Sequence, residues 1–283
     1  MTKAMERQLI AAAENGDSLK LKEALKDIPK AYIDRSVEEN DTQGKATYTY
    51  WIPKLGEPED YEQTAFLDSA FIELRNDEKI EVSMQYPFLK MKNAESHCFV
   101  RIEMYNHLKK AAELLPDGYK FKILDAWRPF ALQKELYEVY TDKIVKMFHL
   151  ENCSQQERDR VIKKFVSLPV EDRLVPPVHT TGGAIDLTLI DQYGKELEMG
   201  TGFDEFTNRT YVDYYEESDE TKIRDNRRML YHIMTSSGFT NLSSEWWHYD
   251  YGDRFWAYYT KRPAIYSGVF TIDEMQRQVC YKK

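Results

Sequence analysis

The spacing of hydrophobic positions predicts extended strands at several places in the chain. Residues 184–190 are almost all aliphatic or β-branched, which predicts a buried strand. Residues 119–125 alternate between polar and apolar side chains, which predicts a half-buried strand that ends at Asp125. A further extended segment is expected around residues 79–84. These runs together predict a β-sheet.

Other stretches repeat their apolar residues every three to four positions, which is typical of amphipathic helices. Such stripes predict one helix over residues 97–115, a second that begins after Pro129 and a third over residues 219–235. Ser154 and Glu157 have the spacing of a capping box and predict the start of another helix. The chain therefore combines several helices with the predicted sheet.

Helices and strands do not alternate strictly, which favours the α+β class with a central antiparallel sheet and flanking helices. Residues 245–251 and 255–259 are expected to pair as a hairpin in that sheet. Residues 1–65 indicate an N-terminal helical extension with a polar connector, and residues 66–283 indicate the main domain. Within this domain, residues 143–177 are expected to form a lid or wall beside a cleft.

Composition excludes some classes of partner. The net charge is −9 and no basic stripe stands out, which argues against a nucleic-acid partner. No apolar run approaches the ~20 residues of a membrane span. Cys98, Cys153 and Cys280 fit no metal or disulfide framework, so we expect reduced thiols in a cytoplasmic protein. An export signal removed ahead of this N-terminus stays an alternative, and the oligomeric state is left open.

Four residues in two short runs predict a catalytic metal site. His179, Asp186 and His248 supply two imidazoles and one carboxylate, which suits a zinc ion with three protein ligands and one position left for water. Asp186 lies inside a predicted buried strand, where a carboxylate is costly unless it is paired or bound to a metal. Glu245 lies three residues before His248 and is a candidate base for that water.

The spacing of these residues allows them to meet. Gly182 and Gly183 interrupt the chain before the predicted strand and let His179 fold back towards Asp186. Residues three apart lie on opposite faces of a regular strand. We therefore expect Glu245 on a turn, with His248 in the strand that follows.

Two segments resemble the zinc motifs of one peptidase family. His-Thr-Thr-Gly-Gly-Ala-Ile-Asp-Leu-Thr, which begins at His179, resembles the first zinc motif of the D-alanyl-D-alanine dipeptidases, the VanX-type zinc D,D-peptidases. Glu-Trp-Trp-His-Tyr, which begins at Glu245, is similar to the second. Asp125-Ala-Trp-Arg-Pro resembles a third segment of the family, with Trp127 where tyrosine is usual, and Met-Gly-Thr-Gly-Phe-Asp, ending at Asp204, resembles a fourth.

The resemblance covers roughly residues 80–260 and implies a zinc D,D-peptidase, hedgehog-like scaffold, one zinc ion per chain and hydrolysis of D-Ala-D-Ala, a small dipeptide. Arg128 would stabilise the oxyanion, for which a permanently charged guanidinium is suited. Asp125 would orient Arg128. Asp204 would take the ammonium group of the dipeptide, and Tyr86 matches a family tyrosine near that amine.

Two alternatives stay open on the sequence. One is a D,D-carboxypeptidase or peptidoglycan endopeptidase, which needs an open groove for a long substrate. The doubled tryptophan beside Glu245 favours the dipeptidase branch by resemblance. The other is a non-enzymatic zinc-containing binding domain, as hedgehog signalling domains illustrate. Such a domain can dispense with Arg128 and Glu245, so the presence of both tells against it.

Overall fold

The structure is a computed structural model that describes residues 52–58 and 64–280. Its main sheet has five strands in the order β2-β4-β5-β7-β6, and β1 pairs with β3 in a separate two-stranded sheet. The strands are β1 (Phe71–Leu74), β2 (Ile80–Val82), β3 (Cys98–Arg101), β4 (Lys120–Asp125), β5 (Ala184–Ile190), β6 (Thr240–Asn241) and β7 (His248–Asp250).

The centre of the main sheet is antiparallel, as the α+β prediction expects. Strand β5 pairs antiparallel with β4 on one side and with β7 on the other, whereas the edge strand β2 runs parallel to β4. The register places Asp186 opposite Asp125 and also opposite His248. Three neighbouring strands therefore bring candidate site residues together at one place in the sheet.

Seven α-helices accompany this sheet in the described part of the chain. They are α1 (Gln85–Phe88), α2 (Ile102–Glu113), α3 (Phe130–Met147), α4 (Gln155–Ile162), α5 (Thr221–Ser236), α6 (Arg254–Thr260) and α7 (Ile272–Arg277). Along β5, Ile185, Leu187 and Leu189 belong to the main core, to which α2 and α5 also contribute. Because side chains alternate along a strand, Asp186 points to the other face.

A second hydrophobic cluster lies on α3 and α4. It contains Leu132, Leu136 and Ile144 from α3 and Ile162 from α4. The chain that follows α4 contributes Phe165 and neighbouring residues to the wall of a pocket. The lid or wall expected over residues 143–177 therefore corresponds, in part, to a wall that packs on α3.

Several predicted elements are confirmed. Strand β5 has the predicted bounds, β4 ends at Asp125, and α3 begins directly after Pro129. The capping box at the start of α4 is present, with Ser154 accepting from the Glu157 amide and the Glu157 carboxylate accepting from Ser154. These elements have strong local signals, which explains why sequence patterns located them.

Two predicted elements are wrong. Cys98–Arg101 is strand β3 rather than the start of a helix, because it pairs with β1, a partner that a local pattern does not show. The segment expected as the second strand of a hairpin is helix α6, because Asp253 caps it by accepting from the amides of Phe255 and Trp256. Strand β7 instead pairs with β5 and β6.

The helical extension predicted within residues 1–65 lies largely outside the described residues, so the division at residue 65 stays a prediction. In the part of the chain that the structure describes, no helix has both the length and the apolar character needed to cross a bilayer. The three cysteines are free thiols, and Cys98 is buried.

Candidate active site

His179, Asp186 and His248 form one buried cluster. Each offers a ligand atom, and these atoms lie within 4.8 Å of one another. His248 Nδ1 is 2.9 Å from Asp186 Oδ1, and His179 Nε2 is 3.4 Å from Asp186 Oδ2. His179 lies on a short 3-10 helix, Val178–Thr181, which ends at Gly182 with a left-handed φ of 76°. This turn, which favours glycine, directs His179 back towards β5.

The second nitrogen of each imidazole has an acceptor on the far side of the ring. His179 Nδ1 donates to the carbonyl of Ala126 at 2.8 Å, and His248 Nε2 donates to Asp250 Oδ1 at 2.8 Å. These contacts leave His179 Nε2 and His248 Nδ1, 3.2 Å apart, facing Asp186. Histidine ligands of metals are commonly held in this way by their outer nitrogen. The donor set and its supports fit a divalent metal such as zinc.

Glu245 lies beside the cluster on a turn, and His248 begins the strand that follows, as the spacing predicts. Glu245 Oε2 is 3.9 Å from His248 Nδ1. The side chain of Glu245 is 20% exposed and lines the pocket. Burial raises the pKa of Glu245 to about 8, against the lowering effect of His248. A carboxylate with such a pKa suits a group that accepts and returns a proton near neutral pH.

Arg128 lies at the junction between β4 and α3, and its guanidinium is held by three side chains. Nε and Nη2 donate to Asp125 Oδ2 at 3.0 and 2.8 Å. Nη1 donates to Gln133 Oε1 at 2.7 Å, and Nη2 also donates to the Tyr86 hydroxyl at 3.1 Å. Nη2 is 4.0 Å from Asp186 Oδ2. The positive charge is therefore fixed next to the cluster.

Asp204 accepts two hydrogen bonds on the same oxygen. Its Oδ2 accepts from the hydroxyls of Tyr86 at 2.9 Å and Tyr140 at 2.7 Å. Burial raises the pKa of Asp204 to about 6, although the two hydroxyls and Arg128 lower it. Tyr86 thus connects Arg128 to Asp204 in one hydrogen-bond network.

Comparison with known proteins agrees with this geometry. The family model described as D-Ala-D-Ala dipeptidase matches residues 72–265. The chain belongs to this metallopeptidase family. Among curated members, the D-alanyl-D-alanine dipeptidase of Synechocystis is 29% identical over 176 residues, which cover 56% of this chain and 71% of that protein. The one from Escherichia coli is 31% identical over 157 residues, with 55% and 68% covered. The resemblance found in the motifs is confirmed.

Two solved structures are also similar to this chain, at lower sequence identity. VanYB in complex with D-Alanine-D-Alanine is 15% identical, has a TM-score of 0.31, and covers 61% of this chain and 84% of that chain. A VanY D,D-pentapeptidase in complex with Zn(II) is 17% identical, has a TM-score of 0.29, and covers 61% and 85%.

The site of this dipeptidase-family chain opens into a pocket with an empty volume of about 490 Å³, its open mouth included. Seven of the eight residues predicted from the sequence line it: Tyr86, Arg128, His179, Asp186, Asp204, Glu245 and His248. Asp125, expected to contact substrate or orient Arg128, lies behind Arg128 rather than in the pocket wall. It is 2% exposed and contacts Arg128 and His179.

Sequence patterns missed three residues of this dipeptidase-family site. Asp250 holds His248, and a signal was available because residues two apart on a strand share a face. Tyr140 lies on the apolar stripe of α3, a pattern that favours a core position, whereas its hydroxyl donates to Asp204. Gln133 gave no sequence signal for its contact with Arg128.

Proposed function

We propose that the chain is a zinc-dependent D-Ala-D-Ala dipeptidase. The observation that carries this proposal is one pocket in which a two-histidine, one-carboxylate cluster adjoins Glu245 and Arg128, and which Asp204 also lines. His179, Asp186 and His248 would hold one zinc ion per chain. When bound, zinc lowers the pKa of water and polarises a carbonyl.

Glu245 acts as the general base and then as the general acid. Its carboxylate takes a proton from the attacking water and delivers that proton to the amine that leaves. The position of Glu245 on a turn beside the cluster supports this role, since Glu245 lines the pocket and its Oε2 is 3.9 Å from His248 Nδ1. A dication bound at the cluster would lower the pKa of Glu245 and so favour the ionised carboxylate that accepts the proton.

Arg128 stabilises the negative charge that develops on the substrate carbonyl. Asp125, Gln133 and Tyr86 accept four hydrogen bonds from its guanidinium and hold it rigid. A charge fixed in place before the reaction costs no reorganisation when the oxyanion forms. Asp125 therefore acts by orienting Arg128.

Asp204 binds the free ammonium group of the dipeptide. Tyr86 and Tyr140 occupy its Oδ2, whereas Oδ1 accepts no hydrogen bond from the described residues. An ammonium group supplies the missing donor and the compensating charge. A carboxylate at this end of the pocket closes the site to substrates that extend beyond the amino terminus, which favours a dipeptidase over a carboxypeptidase.

The preference for a free amino terminus tests this proposal. We expect D-Ala-D-Ala to have a kcat/KM at least about 10²-fold above that of N-acetyl-D-Ala-D-Ala, because the blocked substrate leaves a desolvated carboxylate without a partner. Asp204→Asn should lower kcat/KM for the free dipeptide and bring it closer to kcat/KM for the blocked one. The measurement is kcat/KM for both substrates in both proteins, since this ratio reports transition-state binding.

Equal values for the free and the blocked dipeptide in the unmodified enzyme would reject the closed-site dipeptidase and favour the carboxypeptidase alternative. Absence of hydrolysis of either substrate by the zinc-loaded protein would instead favour the non-enzymatic binding domain. Glu245 and Arg128 both line the pocket, which is the observation against that domain.

A further inference from the structure

The segment that carries Asp204 has little regular structure of its own. Residues 199–211, which we call the Asp204 loop, contain a single 3-10 turn, Asn208–Thr210, among otherwise irregular backbone. Asp204 itself has a left-handed φ of 54°. Such a loop is not fixed by regular backbone hydrogen bonds, so contacts from other elements must hold its carboxylate in place.

Arg227 on α5 binds both ends of the Asp204 loop. Its Nε donates to the carbonyl of Met199 at 2.8 Å, at the beginning of the loop. Nη1 donates to the carbonyl of Tyr211 at 2.6 Å, and Nη2 donates to that of Arg209 at 2.7 Å, both at the end of the loop. Arg227 is 2% exposed and does not line the pocket. One planar guanidinium thus fixes the separation of the two ends.

Trp246 links the same loop to the general base. Its backbone amide donates to the Thr210 carbonyl at 3.0 Å, and its Nε1 donates to Thr201 Oγ1 at 2.8 Å. The guanidinium of Arg227 lies 5.8 Å from the Trp246 ring centroid and 4.6 Å from that of Tyr215. Because Trp246 directly follows Glu245, these contacts fix the position of the Asp204 loop relative to the turn that carries Glu245.

The buried charge of Arg227 is costly for a purely structural contact. Its three acceptors are backbone carbonyls, and burial lowers its pKa to about 10, so the group stays charged at neutral pH. Well-packed hydrophobic residues often replace buried charges without loss of stability. What they do not reproduce is the fixed geometry of the guanidinium, which presents several donors in one plane.

We propose that Arg227 is a positioning residue that holds Asp204 at the substrate ammonium and so determines the preference for a free amino terminus. The inference rests on the proposed function, because it takes the ammonium of a dipeptide as the partner of Asp204. It adds a residue outside the pocket to the determinants of substrate length.

Arg227→Lys tests this inference, because lysine keeps the charge but does not present the same planar set of donors to three carbonyls. We expect kcat/KM for D-Ala-D-Ala to fall about 10-fold, mainly through KM, and that for N-acetyl-D-Ala-D-Ala to stay within about 2-fold. In an Asp204→Asn background, Arg227→Lys should not change kcat/KM for either substrate further, since the two residues act through one contact.

Arg228→Lys is the matched control. Arg228 is the next residue of α5, is also buried, and binds Glu216 outside the Asp204 loop at 2.6 Å. Its substitution should leave the ratio between the two substrates unchanged. If Arg227→Lys does not fold, Thr201→Val replaces it as the test, because this substitution removes the acceptor of Trp246 Nε1. It should lower the ratio of kcat/KM for D-Ala-D-Ala to kcat/KM for N-acetyl-D-Ala-D-Ala.

The outcomes separate this inference from the proposed function. If the unmodified enzyme does not discriminate between free and blocked dipeptide, the closed amino end fails and the role of Arg227 fails with it. A second outcome is that the enzyme discriminates, but Arg227→Lys keeps the full ratio of the two kcat/KM values or lowers kcat/KM equally for both substrates. In either case Arg227 has only a structural role, and the inference alone is overturned.

Discussion

Glu245→Gln is expected to remove most turnover and to leave the metal bound. The substitution keeps the size of the side chain but removes its ability to accept a proton, and general acid–base groups contribute about 10²- to 10⁴-fold to rate. The three ligand candidates are untouched, so metal content per chain should equal that of the unmodified protein. The measurements are kcat for D-Ala-D-Ala and metal content by atomic absorption on the same preparations.

The matched control for this substitution is Glu205→Gln. Glu205 lies near the site on the same loop as Asp204, and its Oε2 accepts from the Gly202 amide at 2.9 Å, a contact that a glutamine oxygen can keep. Its substitution removes one nearby negative charge and should leave turnover unchanged. Near-normal turnover of Glu245→Gln, with metal confirmed, would show that another group is the base.

His179→Ala and His248→Ala are each expected to abolish stoichiometric metal binding. Each substitution leaves a two-ligand site, whereas catalytic zinc sites have three protein ligands. Alanine also leaves the Ala126 carbonyl or the Asp250 carboxylate without the imidazole that it now holds. Metal content per chain, measured after dialysis against metal-free buffer, should fall from one to a small fraction.

His97→Ala is the control for the metal measurement, because His97 is exposed and lies outside the cluster. It should retain full metal content. Circular dichroism of all three variants checks that the fold is kept. Full retention of metal in both His179→Ala and His248→Ala would contradict the ligand assignment, whatever the activity.

The elements that sequence patterns located correctly have causes within a few residues of themselves. Strand β5 is a continuous run of strand-forming residues, and the start of α4 is fixed by the reciprocal bonds of Ser154 and Glu157. The two missed elements differ in cause. Strand β3 exists because β1, a separate segment, pairs with it. The cap of α6 is local, since Asp253 directly precedes the helix, but the aromatic residues that follow favour a strand and outweigh this signal in the sequence pattern. Aromatic residues favour strands only as a weak tendency that such contacts override.

The same distinction applies to the site. His179, Asp186, Glu245 and His248 lie in two compact motifs, so their association could be predicted from spacing. Tyr140 and Gln133 could not, because they meet Asp204 and Arg128 only through the packing of α3 against the sheet. The position of Asp125 behind Arg128 is likewise set by the register of β4 against β5.

The most direct test of the central claim compares D-Ala-D-Ala with a longer peptide that ends in D-Ala-D-Ala, each with and without a chelator. The account predicts that kcat/KM for the dipeptide exceeds that for the longer peptide by at least about 10²-fold. It also predicts that the chelator removes this activity and that added zinc restores it. Equal or faster hydrolysis of the longer peptide, or dipeptide hydrolysis that survives complete removal of metal, would contradict a zinc-dependent D-Ala-D-Ala dipeptidase.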